Sequence, residues 1–172
     1  RGIGERSQFI NPVNPSVGVL IDDVDFSGAG TVATMMDVKQ VEVLRGPQGT
    51  RYGANALGGL INITTNAPTD TASLSFKATS GDYETKTYGL IANSPLGNSV
   101  NARLVVESHK SDGYIENDFI DRNDTNGRDE MTLRGRLAWQ VSEDWHIDLT
   151  LAKIDIDNGY DAFSLDNNRH TL

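Results

Sequence analysis

"VEVLRGPQGTRYGANALGGLINITT", residues 41–65, places five glycines between two β-branched runs. Such a stretch can cradle a phosphate, build structural turns or serve as a recognition signature. The phosphate use fails on residue type. Gly53-x-x-x-x-Gly58 has half the spacing of a P-loop, but Gly59 and Leu60 stand where Lys and Ser/Thr would have to hold phosphate and magnesium. A second glycine motif, "GAGTVA" at 28–33, follows the possible strand "VGVLIDDVDF" and fits the dinucleotide pattern G-x-G-x-x-A. That fold also needs an acid about 20 residues on, at the end of the next strand. Glu42 falls inside its strand, positions 47–50 are Pro, Gln, Gly and Thr, and no further βα units follow. Gly46, Gly49, Gly53, Gly58 and Gly59 are therefore read as structural, giving backbone freedom where a side chain would clash.

Outward from this stretch the chain changes grammar near "NAPTD", 66–70. Before it lie short apolar runs, "VGVLI" (17–21), "VEVL" (41–44) and "LINIT" (60–64), with "ATMMDVKQ" (33–40) as a possible short helix. This predicts a small mixed α/β module over 1–68. After it, apolar and polar residues alternate strictly. Examples are Leu74, Phe76 and Ala78; Tyr88, Leu90 and Ala92; Ala102, Leu104 and Val106; Leu133, Leu137 and Trp139; and Ile147, Leu149 and Leu151. Side chains on a strand point to opposite faces in turn, so 69–172 reads as about five strands of an antiparallel up-and-down meander, each with one apolar face. Ile91 breaks the pattern. The links at 80–84, 94–99 and 142–145 are short; 110–130 and the tail after 155 are long and polar.

A soluble sheet would alternate in the same way. Two features favour a membrane β-barrel: the polar faces carry Arg103, Glu107, Arg134, Arg136 and Asp148, and the apolar faces hold almost no charge. Trp139 and Trp145 flank a tight turn on the apolar side, where an interfacial aromatic girdle would lie. No apolar run reaches the length of a transmembrane helix, which does not exclude strands. Five strands cannot close, so the barrel is expected to be incomplete here.

The net charge of −9 is uneven. Residues 1–70 carry five Lys/Arg against seven Asp/Glu, and residues 71–172 carry ten against seventeen. Most of that excess falls in 110–130 and 155–172. Clustered cations for nucleic acid are lacking. With no cysteine, thiolate chemistry and cysteine-based zinc are excluded, and His109, His146 and His170 stand apart. "DRNDTNG" (121–127) and "DIDNG" (155–159) place carboxylates two apart near a glycine, but neither completes a calcium-binding register. Ser7 and Ser164 lack an elbow or a local base. No catalytic residue, metal site or cofactor is expected.

The opening stretch resembles the C-terminal part of the plug domain of TonB-dependent outer-membrane receptors, in the form "LRGPQGTxYGxNALGGxINI". "RGIG" (1–4) and "PSVGVLIDDV" (15–24) resemble segments upstream in the same plug. Asp23 stands where many members have glycine, and Arg51 where an apolar residue is common. The resemblance implies an outer-membrane location in a Gram-negative bacterium and strands belonging to a 22-stranded barrel in contact with outer-membrane lipid. It also implies uptake of a scarce nutrient, an iron–siderophore complex first and a vitamin second, driven by the TonB complex through a box outside these residues. By the same resemblance Arg45 locks plug to barrel by pairing with carboxylates beyond residue 172. Arg6, Gln8, Phe9, Phe26 and Ser27 lie on plug apices that meet ligand. Turns 80–84 and 110–130 would face outward, and 94–99 and 142–145 the periplasm. Two alternatives stay open: a soluble β-rich binding or adhesion module with its apolar faces buried against a second sheet, and, more remotely, a dinucleotide-binding enzyme built on residues 28–33.

Overall fold

A computed structural model describes residues 16–27, 35–53, 55–117 and 121–159. The chain divides into two compact units, residues 1–66 and 67–172.

In the first unit, β1 (Val17–Ile21) and β2 (Val24–Asp25) form a hairpin, followed by β3 (Val38–Arg45), the single-turn α1 (Gly49–Tyr52) and β4 (Gly59–Thr65). The sheet order is β2-β1-β4-β3, with β1 parallel and β3 antiparallel to β4. Leu20, Ala56 and Leu60 form the buried core, flanked by Leu44 and Tyr52. The expected helix over 33–40 is not found in its described part: Met36 and Asp37 form a turn and β3 begins at Val38. Asp37 has φ 62°, and Asn66 clamps it, its amide donating to the Asp37 carboxylate at 2.9 Å. Pairing of Val41 and Val43 with Ile63 and Ile61 outweighs the helical preference of the residues before them.

The second unit is a five-stranded antiparallel sheet in the order β11-β10-β7-β6-β5. Its strands are β5 (Ser73–Ser80), β6 (Lys86–Pro95), β7 (Val100–Ser111), β10 (Arg128–Gln140) and β11 (His146–Ile156). A small hairpin, β8 (Ile115–Asn117) with β9 (Arg122–Thr125), occupies the segment expected to be a plain long loop.

Register sorts the side chains into two faces. Directly paired residues share a face, so Leu74, Ala92, Leu104, Gly135 and Leu151 form one row, and Asn93, Arg103, Arg136 and Thr150 lie in a row on the other. The apolar face is the open one: Leu74 is 72% exposed, Phe76 69% and Leu151 68%. The polar face holds the buried groups, Asn93, Thr132 and Arg134, with Val105 among them. A soluble module would bury its apolar face against a second sheet, and among the described residues nothing covers it.

On β10 the apolar face runs from Met131 to Trp139, about 26 Å of strand at ~3.3 Å per residue. A strand tilted by roughly 40° would lift this through about 20 Å, most of the ~25 Å height of a lipid-facing barrel band. At one end charges enter this face: Lys110 meets Asp129 at 2.8 Å, and Lys153, opposite Leu133, meets Asp155, opposite Met131, at 2.8 Å. Exposed Trp139 and Trp145 mark the other.

Candidate functional site

The hairpin β1–β2 turns on Asp22 and Asp23, at φ 47° and 66°, a two-residue turn in which both residues are left-handed. Asp22 then reaches across to the end of β4, accepting the Thr65 N–H at 2.8 Å and its hydroxyl at 2.6 Å. Beyond β2 the chain folds back. The Phe26 N–H donates to the Val19 carbonyl at 2.8 Å, and the Ser27 hydroxyl oxygen accepts the Val19 N–H at 3.0 Å. Asp25 accepts the Ser27 N–H at 2.8 Å and the Asn55 amide at 2.9 Å. The Ser27 side chain and then the Ser27 N–H hold its carboxyl below the usual carboxylate range against the opposing effect of desolvation, with Asn55 adding the smallest contribution.

Asp25 thus ties the segment carrying Phe26 and Ser27 to the glycine-rich loop. That loop closes on itself through Gly46 N–H to Gly58 O at 3.3 Å and Gln48 N–H to Ala56 O at 2.8 Å. Gly46, Gly53 and Gly59 take positive φ. Gly49 begins α1, and the Gly58 N–H donates to Ser16 O at 2.7 Å. Glycine at 59 is also required by space, since a Cβ there would lie 2.7 Å from the Leu44 carbonyl oxygen. Gly18, which no motif singled out, has the same restriction: a Cβ would meet Leu60 at 2.7 Å and the Asn55 carbonyl at 2.9 Å.

Arg45 ends β3 opposite Gly59 with its side chain exposed. Arg6, Gln8 and Phe9 lie outside the described residues, as does the 28–33 glycine motif. The acidic segments are drawn toward cations of the chain itself: Arg122 holds Asp124 at 2.7 Å and Lys153 holds Asp155. Among the described residues no cluster of three or more His, Asp or Glu is placed to hold a metal.

On the polar face of the second unit, Arg103 and Arg136 stand directly opposite each other, with Arg134 one row along. Buried Asn93 anchors the entry to β5, its amide donating to Thr69 O at 2.9 Å and Thr71 O at 2.7 Å while its carbonyl accepts the Thr69 N–H at 2.9 Å.

A model of the TonB-dependent Receptor Plug Domain matches residues 1–60. The pesticin receptor of Yersinia pestis is 44% identical over 71 residues, covering 41% of this chain and 10% of that protein. The vitamin B12 transporter BtuB of Vibrio vulnificus is 28% identical over 131 residues, 76% of this chain and 21% of that protein. Among solved structures, the ferric yersiniabactin uptake receptor FyuA of Yersinia pestis superposes with a TM-score of 0.73 at 26% identity, over 81% of this chain and 22% of that one. The chain spans no more than about a fifth of the length of these curated relatives.

Proposed function

Because the chain belongs to the TonB-dependent receptors of the Gram-negative outer membrane, we propose that it contributes plug and barrel strands to an active importer of a scarce nutrient. The cargo we favour is an iron–siderophore complex. The barrel would be 22-stranded, with residues 1–68 as the C-terminal part of its plug and 69–172 as its first strands. The inner-membrane TonB complex would pull on the plug from below. In this reading the protein is a receptor and not an enzyme, and the 28–33 motif serves the plug.

One observation carries the proposal: a plug-matching unit leads directly into a sheet whose exposed face is apolar and whose buried face is polar. Lipid outside and water inside select that arrangement. Turns 80–84 and 110–130 then face outward. Phe26 and Ser27, with Arg6, Gln8 and Phe9, would contact ligand, and Arg45 would help hold the plug through carboxylates supplied elsewhere. A vitamin remains the second cargo, supported by the likeness to the vitamin B12 transporter across 76% of this chain.

The test is uptake by cells carrying or lacking the full gene, with iron-55 chelates of several siderophore classes and cobalt-57 cobalamin. TonB-dependent accumulation of an iron chelate is expected. Accumulation of cobalamin alone would replace the cargo, and no TonB-dependent uptake of any probe would sink the proposal.

A further inference from the structure

We propose that Asn126 is a site of spontaneous covalent modification. Its side chain deamidates through attack by the Gly127 nitrogen, while the fold withholds the same chemistry from a second Asn-Gly pair beside it. The two pairs are Asn126-Gly127, which links β9 to β10, and Asn158-Gly159, which follows β11. In any Asn-Gly pair the side-chain amide carbon is within reach of the next backbone nitrogen, and glycine puts no Cβ in the way. Sequence alone therefore treats the two pairs alike. The sheet brings them together: the Gly159 N–H donates to the Gly127 carbonyl at 2.9 Å, and a Cβ on Gly159 would stand 3.4 Å from the Gly127 nitrogen. Both asparagines are half-buried, so exposure does not separate them either.

Hydrogen bonding does separate them. At Asn158 both reacting groups are held. Its Oδ1 accepts the Asp129 N–H at 3.0 Å, and its Nδ2 donates to the Glu130 carboxylate at 2.7 Å. The attacking nitrogen there, that of Gly159, is the one bound to the Gly127 carbonyl. Ring closure at 158 must first give up these bonds. At Asn126 neither group is held: among the described residues its side-chain amide has no hydrogen-bond partner, and the Gly127 N–H donates to none.

The step needs only water and hydroxide. The Gly127 nitrogen gives its proton to hydroxide and bonds to Asn126 Cγ; the Cγ–Nδ2 bond breaks, ammonia leaves and a five-membered imide closes. Water then opens either imide carbonyl. One opening leaves aspartate at 126, and the other leaves the iso form, whose backbone runs through Cγ. Each product adds a negative charge to the turn. The iso form also inserts a backbone atom just before Gly127, whose carbonyl holds the Gly159 N–H at the end of β11.

The test incubates the full receptor, folded in nanodiscs, in mildly alkaline oxygen-18 water beside a sample unfolded in urea. Both are then digested and read by peptide mass spectrometry. In the folded receptor the 126 peptide should convert at least fivefold faster than the 158 peptide, carry the heavy oxygen and include the iso form. In urea the two rates should converge, because only the fold distinguishes the pairs. Glu130→Ala should speed conversion at 158 at least threefold, and Glu130→Gln, which keeps an acceptor for Nδ2, should not. Equal rates in the folded receptor, or the same rate ratio in urea, overturn the inference. Aspartate without the iso form would mean direct hydrolysis and overturn the role of the Gly127 nitrogen. An unchanged rate at 158 in Glu130→Ala overturns the protection assigned to Asn158. None of these readouts depends on which cargo the receptor carries.

Discussion

In the sheet of the first unit the buried side chains are Leu20, Leu60 and Ile63, with Thr65 tied to Asp22; in the five-stranded sheet they are Asn93, Thr132 and Arg134, with Val105. The two units follow the same rules of strand pairing and alternation, yet they put opposite faces out of reach of solvent. The first removes apolar area from water at Leu20, Ala56 and Leu60, although Val41, Val43 and Leu57 stay exposed. The second leaves Leu74, Leu104, Leu149 and Leu151 open in a row-by-row surface, which water would penalise and lipid tails would not. On the proposed receptor reading, a difference in surrounding medium, with no difference in secondary-structure chemistry, accounts for the contrast.

The comparison can be broken first at its apolar centres. Leu60→Ala empties the core shared with Leu20 and Ala56 and should cost about 2–5 kcal/mol, read as a lower denaturation midpoint of a probe attached to the first unit. A loss below about 1 kcal/mol would mean that this small core is not what holds the unit. Leu104→Arg, on the open row of β7, should cost about 2–4 kcal/mol when the full receptor is folded into lipid vesicles. If that face meets water, the same change costs almost nothing, so this variant separates the two media.

Polar contacts sharpen the contrast at smaller scale. Asp22→Ala leaves the buried N–H and hydroxyl of Thr65 without their carboxylate and should destabilise the first unit by about 1–3 kcal/mol. Asp23→Gly should have the smallest effect and the opposite sign. It relieves a left-handed residue at φ 66° and should stabilise the hairpin by less than about 1 kcal/mol, seen as a small rise in melting temperature. Destabilisation would show that the Asp23 side chain has a role of its own.

Much of the five-stranded sheet was legible in the sequence because period-2 alternation is a direct consequence of strand geometry and needs no tertiary knowledge. The strands at 17–21, 41–44 and 60–64 were legible for a related reason, as short β-branched runs. Residues 35–40 were not: methionine, lysine and glutamine favour a helix locally, and only pairing of β3 with β4 decides otherwise. The β8–β9 hairpin was hidden because Asn, Asp and Arg make poor strand residues. Around the glycine-rich loop, the positive-φ glycines announced themselves by residue type. The Asp25–Asn55 contact could not, since it joins residues 30 apart whose side chains are common in any loop. Gly18 was equally silent, because its requirement comes from Leu60 and Asn55 pressing on it in space.

The account stands most directly on which medium each face of the five-stranded sheet meets. These 172 residues contain no cysteine, so in a full receptor with any cysteine elsewhere replaced by serine, single cysteines can be placed one at a time along β10 from Met131 to Ala138 and spin-labelled. Collision rates with oxygen, which partitions into lipid, and with a water-soluble nickel chelate would then be measured in bilayers. The account predicts oxygen maxima at 131, 133, 135 and 137 and nickel maxima or mutual protection at 132, 134, 136 and 138. Uniform accessibility, or nickel maxima on the odd-numbered positions, would contradict it.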